Sequence, residues 1–310
     1  MIAHKKVFTS AGLYVVSKTD EPQRLWFSKC RGCEQIRTGA TDDQLAGECA
    51  VCHQTITKQN IRPFVKPEAF SVRIEKAEGI SRYRRNTLIR QRQSLTHFIE
   101  DVEPDSLHDF GLFRVALKEK GRLFRYNLGP GNRGFALCPK CGSSEPLCGF
   151  KVGKRHKKLR VLSDSIQCEN DLLWGNSNKP LAFGHEFETF SLIARPVVPV
   201  KSIESLAFSM QKGLCRQLEL ESNDIGVSWR WVAKRSDGAE AEVILYDRTP
   251  GGAGFVKEGF DNWQAVVKKA LEICADCDCE KACYECLKDY SNQSYHNKLD
   301  RVSVTALLGG

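Results

Sequence analysis

Four cysteines fall within ten residues near the C-terminal end of the chain, at positions 277, 279, 283 and 286. A fifth, Cys274, lies just upstream. Thiols this close together either share a metal ion or form disulfides, and both kinds of bond fix the local backbone. The spacing therefore constrains the fold of this segment more than any other feature of the sequence.

Composition decides between these two kinds of bond. The 310 residues are enough for about two domains, and 41% hydrophobic and 27% charged residues are typical of a soluble globular protein. The first residues lack the apolar run of a signal peptide, and no apolar stretch is long enough to span a bilayer. We therefore expect a cytoplasmic protein without a membrane partner, in which clustered cysteines bind metal.

The N-terminal cysteines form two CxxC pairs, Cys30 with Cys33 and Cys49 with Cys52. In a CxxC turn, two thiolates can converge on one ion while the backbone N–H groups support the sulfurs. Two such turns at this spacing predict a zinc ribbon with a structural ion. His53 adjoins the last cysteine, and we expect it to be a bystander.

Another CxxC pair, Cys138 and Cys141, predicts a second zinc site whose remaining ligands are ambiguous. Cys168 is the expected third ligand. For the fourth, His156 is favoured over Cys148, although a solvent-exposed histidine in a basic run is an equally ordinary arrangement.

The opening cluster predicts a third site, in which Cys277, Cys279, Cys283 and Cys286 wrap one ion and Cys274 could replace a member. Iron–sulfur ligation is the rival interpretation, since four cysteines also hold a cluster. Closed, all-thiolate sites are more typical of structural zinc. The sequence thus predicts three structural Zn²⁺ ions and no open coordination position for catalysis.

Hydrophobic periodicity predicts an α+β fold, with an N-terminal zinc ribbon followed by a mixed α/β zinc-stapled domain. Apolar residues spaced four apart predict a helix over 202–218, and a second amphipathic helix is expected at 260–274. Alternating or apolar runs predict the strands: 112–117, 122–126, 190–195, 227–233 and 241–246.

The net charge of +8 is unevenly distributed. Two basic stretches, 73–92 and 151–160, suit a phosphate backbone, although a solvated face is the simpler interpretation of either one. The residues predicted to contact nucleic acid are Arg82, Arg84, Arg85, Lys154, Arg155, Lys157 and Lys158.

No catalytic motif is complete. The glycine-rich segment 251–254 lacks the Lys-Ser/Thr of a Walker A loop, so we expect a tight turn, with anion binding at the following helix N-terminus still open. His185, Glu186 and Glu188 lie on a predicted strand, with His185 and Phe187 on one face. A structural strand is favoured there over a metal-dependent nuclease, and we expect no enzyme activity.

Four blocks in this order resemble the MrfA-type zinc-binding (MZB) domain, which is found at the C-terminal ends of certain bacterial helicases. The closest resemblance is to the DrmB-type accessory proteins of the DISARM anti-phage system. The matching residues are 134–142, 184–189, 246–254, and 277–286 with Asn292, Gln293, His296, Leu299, Asp300 and Arg301. The last polar residues read as a folding signature in which His296 to Arg301 cap and orient the final helix.

This resemblance implies an accessory role beside a superfamily 2 helicase subunit, with DNA as a further partner, in phage defence or DNA repair. The alternatives are a metal-dependent nuclease and a protein-interaction scaffold that binds no nucleic acid. The predicted organisation is a zinc-ribbon module at 1–62, a basic linker with strands at 63–119, and an MZB-like domain at 120–310.

Overall fold

The computed structural model describes residues 13–16, 23–66, 69–72, 95–139, 143–147, 174–175, 179–231, 241–249 and 251–309. These residues form the predicted α+β fold, in which helices pack against a large mixed sheet. Its strands are β1 (Leu13–Val16), β2 (Arg24–Lys29), β3 (Ile36–Gly39), β4 (Gly47–Glu48), β5 (Thr55–Ile56), β6 (Ile61–Val65), β7 (Ala69–Val72), β8 (Leu95–Phe98), β9 (His108–Asp109), β10 (Phe113–Asn127), β11 (Phe135–Leu137), β12 (Ser143–Pro146), β13 (Ala182–Pro196), β14 (Ile225–Trp231) and β15 (Ala241–Asp247).

The described α-helices all lie in the C-terminal part: α1 (Ile203–Gln217), α2 (Phe255–Asp261), α3 (Trp263–Ala275) and α4 (Arg301–Leu308). None of them is long and apolar enough to cross a membrane. The helix predicted at 260–274 is divided, because Asn262 has a non-helical backbone and separates α2 from α3.

The antiparallel pair β10–β13 is the centre of the sheet, and each of these strands is 15 residues long. The two strands predicted at 112–117 and 122–126 are one continuous strand with an irregularity between Lys118 and Gly121. A Cβ at Gly121 would lie 2.5 Å from Ser191 Oγ, so glycine permits the close approach of β13.

Strand β13 joins the two halves of the molecule through its other edge. Its first residues pair in parallel with β6, and residues 191–194 pair with β15. Strand β6 in turn pairs with β2, which pairs with β3, so the cysteine-bearing ribbon is continuous with the main sheet. Strand β10 also runs through the position where 63–119 was predicted to meet 120–310, and the division into three domains stays a prediction.

The helices cover one face of this sheet. The predicted stripe on α1 is confirmed, since Leu206, Met210 and Leu214 are buried in the largest hydrophobic cluster together with residues of β13 and β15. Ser202 caps the helix by accepting a hydrogen bond from Ser205 N. Helix α1 is thereby fixed against the sheet and against the C-terminal segment that carries the cysteine cluster.

A buried ionic network links the ribbon to the sheet. Glu242 is fully buried and accepts from Arg195 Nε at 2.7 Å and from Arg230 Nε. Arg230 also donates to Gln35 Oε1, two residues beyond Cys33, and to the Glu100 carbonyl at 3.1 Å. Breaking one member of such a buried set leaves an uncompensated charge, so the network fixes where the ribbon sits.

Candidate metal centres

The N-terminal cysteines converge as the ribbon prediction requires. Ligand atoms of Cys30, Cys33, Cys49 and Cys52 all lie within 4.8 Å of one another. The Sγ atoms of Cys30 and Cys52 are 3.4 Å apart, and those of Cys33 and Cys49 are 3.6 Å apart. A zinc ion with four sulfurs at about 2.3 Å sets tetrahedral S–S separations of about 3.8 Å, whereas a disulfide needs about 2.05 Å. The donor set therefore fits zinc.

The two CxxC turns have the same backbone geometry. In each, the first cysteine N–H donates to a glutamine carbonyl five residues on, Gln35 in one turn and Gln54 in the other. In each, the residue after the second cysteine donates to the carbonyl of the first and has a φ of +60°. This residue is Glu34 in one turn and His53 in the other, although glycine adopts such a backbone more easily.

These turns aim backbone N–H groups at the sulfurs. Burial raises the pKa of Cys49, but hydrogen bonds from the N–H groups of Cys52 and Val51, together with the neighbouring thiols, outweigh it and lower the pKa to about 7. Cys33 shows the opposite balance, and its pKa is raised, mainly by burial. A bound cation removes this competition by favouring the thiolate at every position.

The hydrophobic cluster around the ribbon tetrad is small and consists largely of the cysteines. The small cluster around it consists of Cys30, Cys33, Cys49, Leu45, Ile56 and Ile61. Half of these six residues are the ligands themselves. His53 lies outside the cluster, largely exposed and paired with Glu48 at 2.6 Å, as expected of a bystander.

The C-terminal cysteines form a second tetrad of the same size. Ligand atoms of Cys277, Cys279, Cys283 and Cys286 also lie within 4.8 Å of one another. The Sγ separations are 3.4 Å from Cys277 to Cys283, 3.6 Å from Cys279 to Cys286, and 3.7 Å from Cys283 to Cys286. Here too the distances fit four sulfurs around one zinc ion and exclude disulfides.

Arg301 ties this cysteine loop to the last helix. Its Nε donates to the Cys279 carbonyl at 2.5 Å and its Nη1 to the Cys274 carbonyl at 3.1 Å, while its backbone N–H donates to the Lys281 carbonyl at 2.7 Å. Asp300 caps α4 by accepting from Val302 N. The predicted role of this pair, to cap and orient the final helix, is confirmed.

Asn292 and His296 act within the same signature but at a different helix, the short 3-10 helix Tyr290–Tyr295, where Asn292 completes a capping box with Asp289 and His296 is the C-cap residue. Asn292 is buried and bridges the Asp289 N–H and the Leu287 carbonyl at 2.8 and 2.9 Å. His296 Nε2 lies 2.9 Å from Asn292 Oδ1 and 3.0 Å from the Asp289 carbonyl. These bonds fix the turn that follows Cys286, so His296 orients the loop rather than the final helix.

Cys274 is not a member of the tetrad. It lies fully buried on α3 within the main core, where burial raises its pKa to about 12. It contributes its carbonyl to Arg301 and packs as a small apolar side chain. Its suggested role as a substitute ligand has no geometric support here.

The second predicted zinc site falls mostly outside the described residues. Cys141, Cys148, His156 and Cys168 are not described, and Cys138 lies buried directly after β11. Where the structure describes the chain, groups of three or more potential ligands occur at the two cysteine tetrads alone. The third ion is therefore a prediction without structural support.

The glycine-rich segment cradles an internal anion. The buried carboxylate of Asp247 accepts from the N–H groups of Ala253 and Gly254 at 2.8 and 2.6 Å and from Val256 at 3.0 Å. These are the donors that a phosphate at the start of α2 would use. Asp247 therefore replaces the external anion that the sequence left open, and sequence reasoning missed this role.

The candidate nuclease residues do not assemble. His185 lies beside Phe187, with ring centres 5.7 Å apart, which confirms their shared face. Glu186 on the opposite face pairs with Arg122 at 2.7 Å, and Glu188 is exposed. The block is instead structural, because Thr189 Oγ1 donates to the carbonyls of Asp247 and Thr249 at 3.0 and 3.1 Å and holds the glycine turn.

The residues that were predicted to contact nucleic acid all lie outside the described residues: Arg82, Arg84, Arg85, Lys154, Arg155, Lys157 and Lys158.

The C-terminal tetrad lies within a match to a known domain family. Residues 206–287, from α1 through Cys286, match the model of the MrfA Zn-binding domain. An MZB domain is therefore present in this part of the chain.

The whole chain is similar to part of a curated protein. Druantia protein DruE of Escherichia coli (strain UMEA 4076-1) is 21% identical over an alignment of 345 positions. The alignment covers 99% of this chain and 18% of DruE. The chain thus spans about a fifth of the length of this relative.

Two solved structures share weaker likeness. A crystal structure of the DUF1998 helicase MrfA bound to DNA has a TM-score of 0.39 and 13% identity, covering 70% of this chain and 24% of MrfA. A second, with DNA and AMPPNP, has a TM-score of 0.28 and 12% identity, covering 71% and 23%.

Proposed function

We propose that this chain is a zinc-binding accessory module of a superfamily 2 helicase, which contributes DNA binding and complex assembly in anti-phage defence or DNA repair. The observation that carries the proposal is the convergence of Cys277, Cys279, Cys283 and Cys286 inside the stretch that matches the MrfA Zn-binding domain. The proposed association with a DNA-bound motor rests on the resemblance to the MrfA-type zinc-binding domain, which is found at the C-terminal ends of certain bacterial helicases.

Zinc has a structural role in this proposal. One ion would be held by the ribbon tetrad and one by the C-terminal tetrad. A third would be held by Cys138, Cys141 and Cys168 with His156. Each closed site supplies cross-linking and no water for hydrolysis.

In this proposal the ATPase motor is part of a helicase subunit. The 310 residues contain no GxxxxGK motif. The proposal therefore assigns the ATPase to a helicase subunit, with this chain as the part that engages DNA beside it. The narrower assignment to DISARM rests on the resemblance to DrmB-type proteins.

DNA binding is proposed to use the two basic stretches. The test is fluorescence anisotropy of the purified chain with labelled single-stranded and duplex DNA over a range of salt concentrations. Arg84→Gln with Arg85→Gln, or Lys157→Gln with Lys158→Gln, should weaken binding to all sequences. Each lost phosphate contact should reduce the slope of log K against log salt by about 0.7–0.9.

A matched control removes two lysines elsewhere. Lys257 and Lys269 lie on α2 and α3, partly exposed and paired with acidic residues. Lys257→Gln with Lys269→Gln changes the net charge equally and should leave affinity and salt slope unchanged. If the wild-type chain binds no DNA at low salt but still captures a helicase, the DNA part fails and a scaffold role is selected.

A further inference from the structure

A cavity of about 610 Å³ lies between the segments that carry the two cysteine tetrads. Lys29 directly precedes Cys30, and Glu34 directly follows Cys33. On the opposite side, Ser291 and Tyr295 belong to the turn after Cys286. The volume is that of a small-ligand site, about 300–1,000 Å³, so the cavity is large enough for a molecule of nucleotide size.

An aromatic cluster forms one wall of this cavity. Phe208, Trp229 and Tyr295 all line it. Their rings contact one another, with centres 5.5 Å apart from Phe208 to Trp229 and 5.0 Å apart from Trp229 to Tyr295. The rings of Trp229 and Tyr295 meet edge to face, so a base stacked on one of them would contact the edge of the other.

The charged residues of the lining favour an anion. Four cationic side chains, Lys29, Arg125, Arg248 and Lys298, face two carboxylates, Glu34 and Glu204, which leaves an excess of two positive charges. Lys29 and Lys298 are each 2.8 Å from a carboxylate.

Arg248 has a donor without an acceptor. Its Nε is buried and has no hydrogen-bond partner in the described structure, although its backbone N–H bonds to the Asp224 carbonyl. Buried donors are normally satisfied, and leaving one unpaired is unfavourable. Arg248 also lines the cavity, so it is in place to meet an oxyanion there, and an oxyanion pairs well with a guanidinium.

We propose that this cavity binds one nucleotide unit, with the base against Trp229 and Tyr295 and the phosphate on Arg248. The proposal deepens the nucleic-acid binding proposed above, on which it rests, by naming a site and a substrate class. The unit can come from a free mononucleotide or from a single strand, and the two sources share the same chemistry.

The test measures binding of three probes to the full chain by tryptophan fluorescence and anisotropy: thymidine 5′-monophosphate, a 5′-labelled dT12 strand, and a blunt duplex. Arg248→Gln should weaken binding of the single strand by about tenfold, the value of one charge-assisted hydrogen bond. It should leave duplex binding unchanged, because the basic stretches carry that interaction. Thermal unfolding of the variant checks that the fold is retained, and Nε makes no hydrogen bond that the substitution would remove.

Controls separate this proposal from the general one. Lys298→Gln should also weaken binding of the single strand. Lys257→Gln should not, although the Lys257 side chain is 52% exposed and that of Lys298 is 56% exposed. If the mononucleotide binds and the dT12 strand does not, the ligand of the cavity is a free nucleotide. If duplex and single strand bind wild type and Arg248→Gln equally, the cavity proposal is overturned while DNA binding stands. If nothing binds any probe, both fail.

Discussion

The two cysteine tetrads have the same sulfur geometry but opposite settings. The ribbon tetrad joins two equivalent turns 19 residues apart, each held by its own backbone bonds, around a core that is half ligand. The C-terminal tetrad is packed into one loop, which lies on the largest hydrophobic cluster and is held from outside by Arg301. We therefore expect the ribbon tetrad to be needed for the fold around it, whereas the C-terminal tetrad attaches one loop to a hydrophobic core that other residues form.

The largest effect is expected at the ribbon. Cys33→Ser with Cys49→Ser removes a metal whose binding is worth about 10–16 kcal/mol in zinc-finger peptides, as much as a whole domain's stability of about 5–15 kcal/mol. Residues 30–56, which surround the tetrad, should lose protection from hydrogen exchange, while β10 and α1 keep theirs. Retained protection throughout the ribbon would mean that its fold does not need metal.

The corresponding C-terminal change should be local. Cys283→Ser with Cys286→Ser should remove protection from 277–301, but α1 and the β10–β13 pair should stay protected because their core includes many other apolar residues. Peptide-level hydrogen exchange checks both variants in one experiment. Global unfolding of this variant would erase the contrast between the tetrads.

Substitution of Arg301 tests how far the C-terminal cysteine loop depends on hydrogen bonds from the last helix. Arg301→Ala removes two hydrogen bonds from a charged donor to loop carbonyls, and we expect a loss of roughly 2–4 kcal/mol in unfolding free energy. Arg216→Ala, at an exposed arginine near the end of α1, is the control and should cost little. Equal effects of the two changes in denaturant titrations would show that the loop supports itself.

The loss of stability at low pH has to be measured separately from metal release, because protonation of the cysteine thiolates weakens metal binding at both tetrads. Burial, with Lys29 and Arg230 nearby, lowers the pKa of His97 from 6.5 to about 3. The folded state therefore resists protonation, and its stability falls as the pH drops below 6.5 toward 3. His97→Gln should lose less stability over this range than wild type. Parallel pH profiles for the two proteins would rule out this contribution.

The smallest effect is expected at the ribbon turns. His53 holds a φ of +60° without contributing a ligand. His53→Gly should relieve this strain and stabilise the ribbon by about 0.5–1 kcal/mol, after the entropy cost of glycine. Glu48→Gln removes only the exposed carboxylate that contacts His53 and should have almost no effect on thermal unfolding. A destabilised His53→Gly protein would show that the imidazole matters to the site.

Local patterns predicted the parts of this fold that depend on near neighbours. The CxxC turns, the apolar stripe of α1 and the cap at Asp300 each follow from spacing within a few residues. The parallel pairing of β6 with β13 does not, because it joins segments more than a hundred residues apart. Asp247 was equally hidden, since a carboxylate before a glycine turn has no spacing rule that assigns it to that turn.

The cavity shows the same limit. Lys29, Trp229, Arg248 and Tyr295 come from four distant segments, and no local pattern brings them together. The one hint was Arg248, which lies in the conspicuous segment 246–254 but had no role in the sequence-based account. An unexplained polar residue beside a glycine turn was therefore the signal that could have been followed.

Native mass spectrometry tests the central claim most directly, because it counts the zinc ions on each intact chain. We expect the wild-type chain to carry one zinc more than the Cys33→Ser/Cys49→Ser variant, and one more than the Cys283→Ser/Cys286→Ser variant. The combined variant should carry two fewer. If any of these variants retains the wild-type zinc count, the corresponding tetrad is not a zinc site and the account is contradicted.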